Sequence, residues 1–454
     1  MNEDEKDKKI KRLEKENQQL KAMIKDLTEH YENQIKKLIE KISELEKRLL
    51  VYENPHTPPS KLILKKNKKK DTTPKKLGAP IGHKGTTRRK PKPDKTINVS
   101  ANKCPCCNAE IREPISIEKK IIEDIPPPSK IEVIQYNVEE YCCPKCGLIF
   151  KAKHESCPQE GGFGVGLMTK ITLLKIQIRG VLRKIVDFLK TSDSFDISPA
   201  GIQAILLRVG KACKKEYEKI WEIIVNSKYR YGDETGIKVC AKKWWLWIFR
   251  TLKDVLVVIR PSRGKKVTHE IFGENPKSCI VADGWSAYRI FESLQRCWTH
   301  LLREIDDYLE KSDNAKMLSK ILHRKFKKLK EFQFSEHSME ERENQKKIWE
   351  MEMEGLVEKF SNFEELKKPL TYLKNGLGCW FTCLLFPGME PTNNLSEQAI
   401  REHVMMRRII GAFRSEKGAE NYQYIASMFA TWKLQKKNIF EELTRLLRSE
   451  ICLG

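Results

Sequence analysis

A multidomain chain of mixed α+β and α/β class is what the sequence predicts, on three observations. Residues 7–52 hold neither Pro nor Gly and carry a helical apolar repeat. Paired cysteines at Cys104/Cys107 and Cys143/Cys146 mark a small metal-stapled module. From about residue 228, β-like runs give way to alternating helix and strand, the pattern of a mixed sheet covered by helices. At 454 residues the chain is also too long for one ordinary domain.

The first element spans residues 1–53. Ile10 and Leu13 are followed by Leu20, Ile24, Leu27, Tyr31, Ile35, Leu38, Ile42, Leu45, Leu49 and Tyr52. Apart from one seven-residue gap, the steps are three or four residues, with a four-four stutter at Leu27–Tyr31–Ile35. That is the a/d stripe of a coiled coil, too narrow to bury against its own chain, so it predicts a homo-oligomer. Pro55, Pro58 and Pro59 end it.

Residues 54–100 are a basic linker. Between 60 and 95 lie 14 Lys and Arg against two Asp. Such a segment has no means of packing a core, but His83, Lys84, Arg88, Arg89 and Lys90 are placed to bind a phosphate backbone. The whole chain has 86 Lys and Arg against 62 Asp and Glu, a net charge of +24. A surplus of that size points to a polyanionic partner, with DNA the obvious one. No stretch approaches the roughly 20 apolar residues of a membrane helix, and the charged start lacks the apolar centre of a signal peptide. The expectation is a cytoplasmic protein without a membrane partner, associated with the nucleoid when bound to DNA.

In a reducing compartment the 14 cysteines are metal ligands or buried side chains rather than disulfides. Within residues 101–160, Cys104, Cys107, Cys143 and Cys146 form two CPxC knuckles. Four thiolates fill a tetrahedral Zn²⁺ site and leave no open position, so this ion is structural in a zinc-ribbon-like module. Cys213, Cys240, Cys279, Cys297, Cys379 and Cys383 lie in apolar contexts and read as buried.

Residues 161–226 read as helical: one helix over ITLLKIQIRGVLRKIVDFLK, then a second opening at Ser198 as N-cap with Pro199 in the first position. The pair resembles a helix-turn-helix, with plain structural helices an equal alternative. Residues 227–415 form the sheet-bearing core. Strands RYGDETGIKV, KWWLWIFR and DVLVVIR are followed by a short helix THEIFG, a strand SCIVAD and a helix SAYRIFESLQ. This order suits a ribonuclease-H-like sheet, interrupted by a charged helical insertion over about 303–375. Residues 416–454 are C-terminal helices.

Three acids stand out in this core. Asp233 closes a β-like run, and its neighbour Glu234 must face the other side of a regular strand. Asp283 follows the apolar run SCIVA, with Gly284 allowing a tight turn. Glu397 lies early in a helical pattern capped by Thr392 or Asn394, with Arg401 one turn beyond on the same face. Three carboxylates gathered on one sheet edge would hold two Mg²⁺ ions and support cleavage of a phosphodiester.

The blocks Asp233-Glu234-Thr235, Ala282-Asp283-Gly284, Cys297-Trp298-Thr299-His300-Leu301-Leu302-Arg303 and Asn393-Asn394-Leu395-Ser396-Glu397-Gln398-Ala399-Ile400-Arg401 follow one another in order. With Gly82-His83-Lys84-Gly85 and the two cysteine knuckles, the chain resembles the insertion-sequence-sixty-six family of DDE transposases across roughly residues 10 to 435. Gly236 and Thr392 depart from the family's usual Pro and acidic residue. The resemblance implies a DDE triad of Asp233, Asp283 and Glu397, with His300 and Arg303 positioning substrate. It implies a prokaryotic, Mg²⁺-dependent enzyme that binds terminal inverted repeats. Water would cut at the element's end and the freed 3′-hydroxyl would attack target DNA, with no covalent protein intermediate and no nucleotide cofactor. Accessory transposition proteins are further partners that this scheme admits. The alternative on charge and cysteines alone is a non-catalytic, zinc-containing DNA-binding regulator derived from a transposase.

Overall fold

The computed structural model describes residues 3–50, 92–93, 95–99, 106–110, 117, 119–120, 122 and 131–454. Two compact units divide the chain, Met1–Glu123 and Asp124–Gly454. His83, Lys84, Arg88, Arg89, Lys90 and Cys104 lie outside the described residues.

The first unit contains α1 (Glu3–Leu50), an uninterrupted 48-residue helix. Among its described side chains, Leu20, Ile24, Leu27, Tyr31, Ile35, Leu38 and Ile42 are all exposed. A single copy of the helix therefore leaves the stripe in water, where its burial would stabilise association.

The second unit opens with an antiparallel hairpin, β1 (Glu140–Cys142) and β2 (Ile149–Lys151), in register Tyr141↔Phe150. Three helices follow: α2 (Val165–Ile176), α3 (Leu182–Asp193) and α4 (Pro199–Asn226). The single helix expected over ITLLKIQIRGVLRKIVDFLK is broken into α2 and α3. Arg179 adopts φ 56°, and Gly180 N–H closes back on Leu174 O at 2.9 Å. A left-handed residue cannot continue a right-handed helix. The α4 start is as expected, with the Ser198 hydroxyl accepting from Gly201 N–H at 3.1 Å and Pro199 beside it. Helix α4 buries Ile202, Ile205, Val209, Cys213, Tyr217, Ile220 and Ile224, and the Tyr217 hydroxyl donates to Val257 O. This helix is thus built into the core of the sheet.

The sheet comprises β3 (Tyr229–Val239), β4 (Lys242–Arg250), β5 (Val255–Arg260), β6 (Cys279–Ala282) and β7 (Ser293–Arg296), in the order β5-β4-β3-β6-β7. The first three strands are antiparallel neighbours, while β6 and β7 run parallel to β3. Cys240 and Ala241 join β3 to β4, both with positive φ (49° and 62°), as a two-residue I′ hairpin requires. Cys240 is therefore exposed rather than buried, and Cys379 is only half-buried; Cys213, Cys279, Cys297 and Cys383 are buried as expected.

Helix α5 (Lys265–Phe272) carries the chain from β5 to β6. The expected helix over SAYRIFESLQ is instead a 3₁₀ turn, Ser286–Ile290, followed by β7. The stretch from Asp283 to Glu292 between parallel strands is too short for a full crossover helix, so a tight turn takes its place.

Strand alternation splits the core across the sheet. Trp247, Phe249, Leu256, Val258, Ile280 and Ala282 join one cluster. Leu246, Ile248, Val255, Val257 and Ile259 join another with α10 (Asn394–Ile410) and α11 (Glu416–Leu434). A third cluster joins Tyr231, Cys279 and Val281 to α6 (Trp298–Asp306), α7 (Asp313–Gln333), α8 (Met339–Phe360) and α9 (Lys367–Lys374), around Trp298, Trp380 and Phe381. Helix α12 (Ile439–Leu447) and a π-helical turn at Arg448–Leu453 complete the unit. Among the described residues, no helix is long and apolar enough to cross a membrane.

Helix α11 lies along the outer edge of β5. Val255, Val257 and Ile259 donate their N–H groups to Thr431 Oγ1, Ser427 Oγ and Gln423 Oε1 at 3.0, 2.9 and 3.0 Å. Four residues of helix advance about 6.0 Å and two of strand about 6.8 Å, so the two periods nearly match. The edge is satisfied by side chains and closed to further strand pairing.

Candidate active site

The parallel pairing of β3 and β6 places the first two acids. Tyr231 is the register partner of Val281, and Asp233 and Asp283 each lie two residues further on. Two steps restore the same face, and neighbouring strands lie about 4.8 Å apart, so both carboxylates project from one side on adjacent strands. Contrary to the sequence expectation, Asp233 does not end its strand. It sits mid-way along β3, still paired with Ile248 of β4. The opening arises because β6 stops at Ala282. Asp283 then turns the chain: its Oδ1 accepts from Trp285 N–H at 2.9 Å, and Gly284 takes φ 97°. That φ favours glycine, and a Cβ at Gly284 would also displace the Arg296 guanidinium.

Glu397 arrives on the first turn of α10, and that helix is fastened to the acid-bearing strands by backbone and buried polar groups. Asn393 Nδ2 donates to Gly232 O at 2.8 Å, next to Asp233. Asn393 N–H donates to Cys297 Sγ at 3.2 Å, and Cys297 N–H donates to Ala282 O at 2.9 Å, next to Asp283. Asn393 is the N-cap residue, and neither Thr392 nor Asn394 serves as expected. Its side chain makes no capping bond to the helix's own backbone: Nδ2 is spent on β3, and Oδ1 accepts from the Ser396 hydroxyl. Further along, Arg407 donates to Thr235 Oγ1 at 2.7 Å and to Gly236 O, tying the last turns of α10 to the same strand.

Charge around these acids is strongly unbalanced. Burial pushes the Asp233 carboxyl well above the usual carboxylate range, and the negative charges of Glu234, Asp283 and Glu397 push it further. Glu234 faces the other side of β3, as alternation requires. There Arg263 grips it at 2.7 and 2.9 Å, and the Tyr288 hydroxyl donates to it. Burial and Asp283 still hold the Glu234 carboxyl above its ordinary value. Arg263 itself lies between the Trp245 and Trp285 rings, 4.8 and 3.8 Å from their centroids. Neither Asp233 nor Asp283 has an ion-pair partner among the described residues. Carboxylates on neighbouring strands without a side-chain cation suit a hard, oxygen-seeking divalent ion. The ligand atoms that already lie within 4.8 Å of one another among the described residues are those of Cys297, His300 and Glu397 rather than of the three acids.

His300 joins this group, its Nδ1 3.8 Å from Glu397 Oε1. Arg303 and Arg401 are exposed, one turn beyond His300 and Glu397. Sequence reasoning missed Asn393, Arg263 and Arg407, as well as Tyr372, whose hydroxyl donates to Asp283 O at 2.9 Å. Only the paired asparagines at 393 and 394 offered a signal.

In the hairpin module, Cys143 O accepts from Gly147 N–H at 2.8 Å and Cys143 N–H donates to Leu148 O at 2.9 Å. Gly147 has φ 73°. Hydrogen bonds from the backbone at Cys146 and Lys145 lower the Cys143 thiol pKa, favouring the thiolate a metal needs. Cys107 and Cys146 are exposed.

No curated protein matches the chain. The family model described as Transposase IS66 family matches residues 160–421, more than half of the chain, from just before the helices that precede the sheet into the first turns of α11. With all three acids and the helix that carries the third inside that span, the chain belongs to the IS66 family of transposases.

Proposed function

We propose that this transposase is a Mg²⁺-dependent DDE enzyme of a prokaryotic insertion sequence. It binds terminal inverted repeats, cuts a strand at the element's end and joins the freed 3′-hydroxyl to target DNA. The observation that carries the reading is the matched register of Asp233 and Asp283, supported by the start of α10 being tied to Gly232 and by the Glu397 charge raising the Asp233 carboxyl. The strand order β5-β4-β3-β6-β7 supports a ribonuclease-H-like core: three antiparallel strands with two parallel strands added beside the first.

Asp233, Asp283 and Glu397 would hold two Mg²⁺ ions, which when bound supply Lewis acidity to an in-line displacement at phosphorus. The chain's own contribution is placement. Asn393 and Cys297 fix α10 against the middle of β3 and the end of β6, so Glu397 enters at a set height. Arg263 confines Glu234 to the far face and keeps it from competing for the same cation. His300 stands next to Glu397, suited to orient the substrate strand; exposed Arg303 and Arg401 are suited to phosphate contacts. The basic segment around His83, Lys84, Arg88, Arg89 and Lys90 is proposed to add further DNA contacts.

Cys104, Cys107, Cys143 and Cys146 are proposed as structural Zn²⁺ ligands, supported locally by the turn at Cys143–Gly147. The exposed stripe of α1 supports homo-oligomerisation, which would let two protomers bring both element ends together.

Asp233→Asn, Asp283→Asn and Glu397→Gln should each lower cleavage of terminal-repeat DNA below about one-hundredth of wild type. DNA affinity should stay within about twofold, since no phosphate contact is removed. A gel-based cleavage assay beside a binding assay reads both. Near-wild-type cutting by any one of the three would remove that residue from the triad.

A further inference from the structure

Next to the oxygen-rich niche lies a donor set of different chemistry. Cys297, His300 and Glu397 each offer one ligand atom, and the three atoms lie within 4.8 Å of one another. Cys297 is the N-cap of α6 and His300 lies three residues on, so a single helical turn presents both to the same side. Glu397 approaches from α10, and its Oε1 is buried without a hydrogen bond.

The His300 Nδ1 to Glu397 Oε1 separation of 3.8 Å is too long for a hydrogen bond. It is close to the edge of a coordination tetrahedron: two ligands each about 2.0–2.1 Å from one zinc ion lie roughly 3.4 Å apart. The remaining difference is within the reach of a side-chain torsion. Cys297 Sγ already accepts the Asn393 N–H, a bond that would orient a metal-bound sulfur from behind.

We propose that Cys297, His300 and Glu397 form a second, thiolate–imidazole–carboxylate site for a zinc-class divalent ion, distinct from the cysteine knuckles. One sulfur, one nitrogen and one oxygen donor select zinc or cobalt over magnesium, and three protein ligands leave a fourth position for water. The site deepens the proposed active-site reading, because it draws on the same Glu397 as the magnesium niche. Zinc bound here takes Glu397 Oε1 away from Asp233 and Asp283, and so acts as an inhibitor of magnesium-supported cleavage.

Cobalt is the probe. The full-length protein with its zinc complement intact is titrated with Co²⁺ and followed by thiolate-to-cobalt charge-transfer absorption. One further equivalent is expected, its band lost in Cys297→Ser and its affinity at least about tenfold weaker in His300→Gln. His300 is only partly buried, which keeps the test open should Cys297→Ser fail to fold. An absent extra equivalent, or a band that survives both substitutions, overturns the site. In Mg²⁺-supported cleavage, Cys297→Ser should need at least about tenfold more Zn²⁺ for half-inhibition; equal sensitivity overturns the inhibitory role. A failed cobalt titration leaves the Asp233 and Asp283 cleavage test standing. Active Asp233→Asn or Asp283→Asn variants would remove the triad without removing the cobalt band, so the two readings fail separately.

Discussion

At the scale of single residues, the site depends on groups whose importance is tertiary. Asn393 is almost wholly buried, and its amide is the one that reaches Gly232 O beside Asp233. Asn393→Ala should cost about 1–3 kcal/mol, because a buried carbonyl and the Ser396 hydroxyl lose a partner together. A lowered urea midpoint of the full chain would report it; an unchanged midpoint would show that α10 is held by packing alone. The elements that carry the three acids were legible in the sequence, because each acid stood beside a β-like run or a helix start. Asn393, Arg263 and Arg407 were not, since nothing local says which carbonyl or carboxylate a side chain meets across the fold. Cys240 was misread for a related reason: the I′ turn it occupies usually announces itself with Asn or Gly. Here Cys240 and Ala241 take the left-handed conformation without either.

At the scale of elements, the strands and the start of α4 were legible, whereas the cap of α10 and the breaks were not. The runs giving β4 and β5 are rich in β-branched and aromatic residues, β3 carries Tyr229, Tyr231, Ile237 and Val239 towards its ends, and Ser198-Pro199 starts α4 as capping chemistry dictates. The stretches after Ile176 and Trp285 carried an apolar pattern that a helix would also satisfy. Local geometry overruled it, through Arg179 and Gly180 in one case and the short link between parallel strands in the other. The α11–β5 edge offers a measurable consequence. Ser427→Ala removes the acceptor of Val257 N–H in a fully buried position and should destabilise the protein by about 1–3 kcal/mol. Ser427→Thr, which keeps an oxygen, should lose less. Equal losses in the two variants, read by thermal unfolding, would mean that packing volume rather than the hydrogen bond matters at this edge.

At the scale of the whole molecule, the second unit carries Asp233 on β3, Asp283 just past the end of β6 and Glu397 on α10, and we propose it as the catalytic body. In the proposed reading, the charge surplus and the basic linker would supply attraction to DNA without sequence information, and the three acids would supply the place for chemistry. The claim joining these parts is that Asp283 touches a catalytic metal ion, and metal preference tests it most directly. Thiolates bind Mg²⁺ poorly but accept softer Mn²⁺, so replacing a ligating carboxylate should change which ion works. Asp283→Cys is predicted to lose cleavage of terminal-repeat DNA in Mg²⁺ and regain it in Mn²⁺. Cleavage by Asp283→Cys that matches wild type in Mg²⁺ would contradict the assignment.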